Sequence, residues 1–318
     1  MLAPETTNIW NSIHVFLHDS NNYHSFMEED LDLFLQEMKK NKLIDKWFFI
    51  RYWEGGPHIR LRFLNLKVDV QQVIEKLNEI ITKYSIKKQT NKLTAEDYYK
   101  NHKFDGKKIN YTSLPFYPNF TVKEISYEPE ILRYGGDDAI HTCENLFYHS
   151  SELSLKLISQ KIPFNKLLVV AIDIMIITAL ELKVKNLRDF FDIYARFWNN
   201  YVDDREKVNN VVNNLYKDQG SVIQKRLKLL ENMDCTYNQG NLNSLYVEWK
   251  KHVQTAYRNL LGSKLINPLD GKRVDDLSAR TMAIQTIAIS IIHMTNNRLG
   301  ITPDFEYILA SLIKKLVD

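Results

Sequence analysis

The chain has 318 residues, 44% of them hydrophobic and 25% charged, with a formal net charge of +3. That balance suits a globular protein with a substantial core and gives no argument of its own for a nucleic-acid-binding surface. Two cysteines, Cys143 and Cys235, are too few for a disulfide framework or a zinc knuckle. The opening MLAPETTNIWN lacks the basic and apolar regions of a signal peptide, and the longest apolar run, Leu167 to Leu180, is too short to span a membrane. A reducing cytoplasmic setting is therefore expected.

In chain order, Ile13 to His18 reads as a strand. Ser25 followed by Glu28 matches a capping box, ahead of a helical face of Leu31, Phe34, Leu35 and Met38. Lys46 to Trp53 and His58 to Leu66 read as strands joined by Glu-Gly-Gly-Pro, a connection that supplies residues able to take positive φ. Val70, Val73, Ile74, Leu77 and Ile81 mark a further amphipathic helix. Strand, helix, hairpin and helix predict a small, mainly antiparallel sheet packed with helices.

Lys83 to Asn110 carries eight lysines against three acids. It reads first as a solvated basic insertion and second as a docking surface for an acidic peptide or RNA. From Asp137 the pattern is mostly helical. A helix capped by Asp137 or Asp138 comes first, then the apolar helix containing Asp173. After a break at Asn267 to Lys272 come a long helix over Ser278 to Asn296 and a last one opened by Thr302 and Pro303. The predicted class is α+β within one domain, 1–318, with a sheet-containing part (1–85), the basic insertion (83–110) and a mainly helical part (137–318).

Three stretches hold the chemistry. In GGPHIRLRF the period of a strand sends His58, Arg60 and Arg62 to one face and Ile59, Leu61 and Phe63 to the other. Alone this is an amphipathic strand with a wet face. Arginine's planar fork nevertheless suits carboxylates, and the glycines let backbone approach a ligand. In YEPEILRYGG, Glu130 and Arg133 are spaced to pair on one helical turn that Gly135 and Gly136 end. In SIIHMTNNRLGI, His293 sits late in an apolar helix, where the C-terminal dipole favours its protonated form. Taken singly, the last two read as a local ion pair and a core histidine.

Together, FFIRYWEGGPHIRLRF, YEPEILRYGG with CENLFYHSSEL, and IIHMTNNRLGI resemble, in order along nearly the whole chain, the C-terminal elimination domain of lantibiotic dehydratases and its stand-alone relatives in thiopeptide pathways. The resemblance implies a lyase. It would remove glutamate from glutamylated Ser or Thr of a ribosomally made precursor peptide, leaving dehydroalanine or dehydrobutyrine. It also implies His293, Arg62 and Arg133 as catalytic residues and Arg60 and Glu130 as substrate-binding ones, with the three arginines and His293 converging on one pocket; His58 is added as a further substrate-binding candidate. Arg62 and Arg133 would hold the departing glutamate, Arg60 would support the site and Glu130 would orient an arginine. His293 would transfer a proton or stabilise the enolate, and His58 is the weakest member.

No metal or organic cofactor is implied. The expected partners are the precursor peptide, leader and core, and a separate tRNA-dependent glutamylation protein, because a glutamylating domain would need several hundred more residues. Direct nucleic-acid contact and a membrane span are not required, and a homodimer is compatible. The alternatives are a pyridine synthase, joining two dehydroalanines by formal [4+2] cycloaddition with release of the leader peptide, and a non-catalytic peptide-binding subunit.

Overall fold

The computed structural model describes residues 9–19, 23–88, 92–100, 102, 111–232 and 241–317. Cys235 and residues 89–91, 101 and 103–110 of the basic insertion lie outside the described residues. The fold is α+β, and the chain divides into two compact units: Met1–Glu128 with Ser154–Gln160, and Pro129–Leu153 with Lys161–Asp318.

The first unit is built on a four-stranded antiparallel sheet in the order β2-β3-β1-β4. Its strands are β1 (Trp10–Phe16), β2 (Lys46–Tyr52), β3 (His58–Leu64) and β4 (Val122–Glu124). The short β4 gives no sequence signal because three residues are too few to show a period; it joins by pairing His14 with Lys123. Between β2 and β3, Gly55 and Gly56 have φ of 90° and 100°, and a Cβ on Gly55 would meet the Tyr117 ring at 3.0 Å. Only glycine fits that turn without strain.

One sheet face is apolar. Ile13, Val15, Trp47, Phe49, Ile59, Leu61 and Phe63 are all buried, and Phe34 meets Phe63 edge to face. Each such side chain contributes about 1.5–3 kcal/mol on burial. The helices of this unit are α1 (Tyr23–Phe26), which continues through a π-helical turn (Met27–Leu31) into α2 (Asp32–Lys40), then α3 (Val70–Lys87) and α4 (Ala95–Lys100). Ser25 lies inside α1, not at a cap, and its hydroxyl meets that of Tyr84 at 3.0 Å. A pairing partner on α3 thus displaces the expected capping box. Within the basic insertion, α4 buries Tyr99, whose hydroxyl accepts from Gly55 N at 2.8 Å and donates to Pro115 O at 2.7 Å. That stretch therefore pins the glycine turn.

The second unit is helical: most of α5 (Asp137–Ser159), then α6 (Phe164–Glu181), α7 (Leu187–Trp198), α8 (Arg205–Glu231), α9 (Asn241–Gly262), α10 (Leu277–Leu299) and α11 (Pro303–Leu316). Apolar nearly all round, α6 packs against α8, α9, α10 and α11. Its most deeply buried acid, Asp173, takes a bidentate bond from Arg226 on α8 and one from the Tyr246 hydroxyl on α9 at 2.7 Å. Burial raises the Asp173 pKa while Arg226 opposes the rise. Gly300, with φ of 82°, ends α10 and turns the chain into α11.

Candidate functional site

The second face of the sheet is polar and cationic. Direct cross-strand pairing sets Tyr52, His58 and Phe16 in one row, Ile50, Arg60 and His14 in the next, and Phe48, Arg62 and Ser12 in the third. The expected side-by-side placement of His58, Arg60 and Arg62 is therefore observed, with His14 added to it. His58 is fully buried. Its Nδ1 donates to the Gly56 carbonyl at 2.8 Å, and its Nε2 accepts from Arg60 Nε at 3.1 Å. The Arg60 guanidinium lies 3.4 Å from the centre of the Tyr52 ring, and that of Arg62 lies 4.3 Å from Tyr127 and 5.2 Å from Phe48.

These imidazoles are held neutral. Burial first, then the charges of Arg60 and Arg62, lower the His58 pKa to about 3, against a partial rise from its bond to Gly56. His14 stacks on His58 at 4.8 Å and is lowered to about 2 by burial, then by His58 and the same arginines.

The second group of residues is organised by α10. Ile287 Cδ1 lies 2.8 Å from where a Cβ on Gly135 would sit, so only a glycine lets the Arg-Tyr-Gly-Gly turn approach this closely. One turn on, Ser290 Oγ accepts from Arg133 Nε at 3.0 Å, and Arg133 also donates to Glu130 at 3.1 Å, the pairing their spacing predicts. His293 follows three residues later on the same helix, within the reach of neighbouring side chains on one face. In this way α10 carries both the Ser290 partner of Arg133 and His293.

His293 does not depend on the helix terminus for a counter-charge. Its Nδ1 meets Oε1 of Glu306, the fully buried acid in the first turns of α11, at 2.8 Å. A carboxylate only accepts, so Nδ1 is the donor; in the neutral ring Nε2, across from it, carries the lone pair. The second oxygen of Glu306 accepts from the Tyr194 hydroxyl and, at 3.2 Å, from Asn296 Nδ2. Burial, then the charge of Glu306, push the Tyr194 pKa well above its usual value, which keeps that hydroxyl a donor. Trp198 stacks on the imidazole at 4.3 Å. Arg298, fully buried, donates to Ser151 at 3.0 Å and to the Met294 carbonyl at 2.8 Å, tying the end of α10 to α5.

Residues 10–317 match the family described as lantibiotic biosynthesis dehydratase C-term. The chain belongs to that family. Over 309 residues the chain is 26% identical to the epidermin biosynthesis protein EpiB of Staphylococcus epidermidis. The match takes in 96% of this chain and 26% of EpiB, so the chain spans about a quarter of that relative's length.

Among solved structures, the domain resembles TbtD, a pyridine synthase from thiomuracin biosynthesis, with TM-score 0.71 and 15% identity over 97% of both chains. It resembles TsrL with TM-score 0.64 and 15% identity, over 98% of this chain and 95% of that one. It also resembles the tRNA-dependent lantibiotic dehydratase MibB of Microbispora sp. 107891, with TM-score 0.59 and 16% identity, over 99% of this chain and 28% of MibB. At such identities these three establish a shared fold.

Sequence reasoning missed His14, Tyr52, Tyr127, Trp198, Ser290 and Glu306. For His14 a signal existed: its period-2 spacing with Ser12 and Phe16 mirrors that of His58 and Arg60. Glu306 gives no such signal, because the turn at Gly300 selects it as a partner. Among the described residues no helix is long and apolar enough to cross a membrane.

Proposed function

We propose that the protein acts as one elimination-type domain, 1–318, that removes glutamate from glutamylated Ser or Thr of a precursor peptide. The observation that carries this reading is the His293–Glu306 pair, set on the α10 face that also holds Arg133 through Ser290. In the proposed step Nε2 of His293 takes the substrate's α-proton. The Cα–Cβ double bond forms, the Cβ–O bond breaks, and glutamate leaves with the electron pair as a carboxylate. Glu306 stabilises the imidazolium that results, and Glu130 orients Arg133. Arginines suit the leaving group because glutamate departs carrying carboxylates that a guanidinium meets bidentately. Arg62 and Arg133 are assigned that role, with Arg60 in support. The glutamylated peptide would come from a separate tRNA-dependent glutamylation protein, with cytoplasmic substrates and no metal or organic cofactor.

The experiment mixes precursor peptide, glutamyl-tRNA, a glutamylating partner and this protein, and follows peptide masses. Elimination makes glutamyl adducts vanish and leaves each processed residue one water lighter. His293→Ala and Arg133→Ala should accumulate adducts; unchanged turnover in both overturns the assignment. The fold shared with a pyridine synthase supports a second reading, which the same masses separate. Ring formation would leave the adducts untouched and release a leader peptide from a substrate already dehydrated. A peptide-binding subunit would transform neither.

A further inference from the structure

We infer that His58 is a positioning residue, clamping Arg60 in a fixed plane to receive a substrate carboxylate, and that His14 is the wall against which the clamp is held. The inference deepens the proposed elimination and rests on it for the identity of the carboxylate, that of the leaving glutamate.

The geometry leaves His58 little freedom. With no exposed surface it cannot itself meet a peptide, so its place on the cationic face needs another explanation. One ring nitrogen is spent on the Gly56 carbonyl, at 2.8 Å, and the other takes the Arg60 Nε–H, at 3.1 Å. A backbone carbonyl accepts only, so Nδ1 bears the hydrogen and Nε2 is the acceptor. That one tautomer can receive from a guanidinium; an imidazolium would oppose it with a like charge. Gly56 sits in the turn with φ of 100°, so the carbonyl that selects the tautomer is itself placed by the glycine pair.

The Tyr52 ring, cross-strand neighbour of His58, lies 3.4 Å from the Arg60 guanidinium, so the guanidinium is held by its Nε edge and by one face. By covalent geometry the two terminal nitrogens lie on the edge away from Nε, the one that meets carboxylates in parallel pairs. His14 and Phe16 close the pocket around His58, with centroids at 4.8 and 4.6 Å. Among the described residues, the charged and imidazole side chains around His58 on this face are Arg60, Arg62, His14 and, opposite His14 on β4, Lys123, with the neutral phenols of Tyr52 and Tyr127 beside the arginines. All four are basic side chains. The depressed pKa of His58, about 3, agrees with a ring that stays an acceptor throughout the working range.

The test compares His58→Phe, which keeps the ring and loses the acceptor, with His58→Gln, which restores an acceptor amide. Free glutamate is titrated calorimetrically and elimination of glutamylated peptide is followed in parallel. His58→Phe should weaken glutamate binding and raise KM by about tenfold, with kcat changed much less, the cost of one lost charge-assisted hydrogen bond. His58→Gln should recover most of the loss. Wild-type binding and KM in His58→Phe overturn the clamp.

Nitrogen-15 spectra of the wild type give a readout independent of turnover. The clamp requires the Nδ1–H tautomer, unchanged across roughly pH 5 to 8, and a slowly exchanging Arg60 Nε–H; an Nε2–H ring or a titrating one overturns it, even if His58→Phe does not fold. A wild type that binds glutamate and shows these signals without eliminating anything retires the elimination reading and leaves the clamp standing.

Discussion

The sheet unit and the helical unit each hold a histidine in a set of hydrogen bonds, one fully buried and one half-buried, with opposite charges beside them. His58 lies between a carbonyl and a guanidinium, among Arg60, Arg62 and His14. A proton added there meets like charge and a dry environment. His293 lies against the carboxylate of Glu306, itself anchored by Tyr194 and Asn296. A proton added there meets its counter-ion. One imidazole accepts from a guanidinium and the other faces a carboxylate, the arrangement on which the proposed roles rest. The ring is the same in both; the sign of the nearest charge separates the roles.

If that contrast holds, His293→Ala should cost the most, lowering turnover by about 10²- to 10⁴-fold with glutamylated peptide accumulating in single-turnover mass assays. A loss within a few-fold would make His293 as passive as a core residue.

Next comes acid sensitivity of the fold. The folded-state pKa values of His58 and His14 are depressed to about 3 and about 2, below the ordinary 6.5. Below pH 6.5 the unfolded chain therefore binds protons that the folded one refuses. Stability should fall as pH drops from 6.5 towards 3, by up to about 1.4 kcal/mol per pH unit for each ring. Denaturant titrations at stepped pH measure the slope, and His14→Phe should flatten it; an unaltered slope would show that these rings are not the source.

Glu306→Gln keeps the shape and removes the charge. It should lower kcat by about 10- to 100-fold with KM nearly constant, because only the developing imidazolium loses its partner. An equal change in KM would instead point to a disturbed corner between α10 and α11.

The smallest of these effects is expected for Arg62→Lys, about tenfold in KM with kcat retained, since lysine keeps the charge and loses the planar fork. Steady-state kinetics on glutamylated peptide decide it. If kcat falls instead, Arg62 acts in the transition state.

Much of this architecture is written locally. Alternation over His58 to Phe63 fixes which side chains share a face, whatever strand lies alongside. The glycine pair 55–56 announces its turn because side chains strain at positive φ, and the apolar run holding Asp173 predicts a buried helix because its length and composition allow little else. The spacing of Glu130 and Arg133 predicts their ion pair for the same reason: three residues on a turn are neighbours without help from the rest of the chain.

What those rules leave open is every contact between residues distant in sequence. That Ser290 takes Arg133, that Glu306 takes His293, that Tyr52 supports Arg60 and that His14 backs His58 depends on register, on the turn at Gly300 and on helix packing. The sequence determined which charged groups the protein carries and which way most of them face along their own element. Tertiary structure decided their long-range partners, and therefore that His58 stays neutral. The physical reason is that local periodicity fixes direction along an element, whereas a proton's energy depends on burial and on charges brought near by packing.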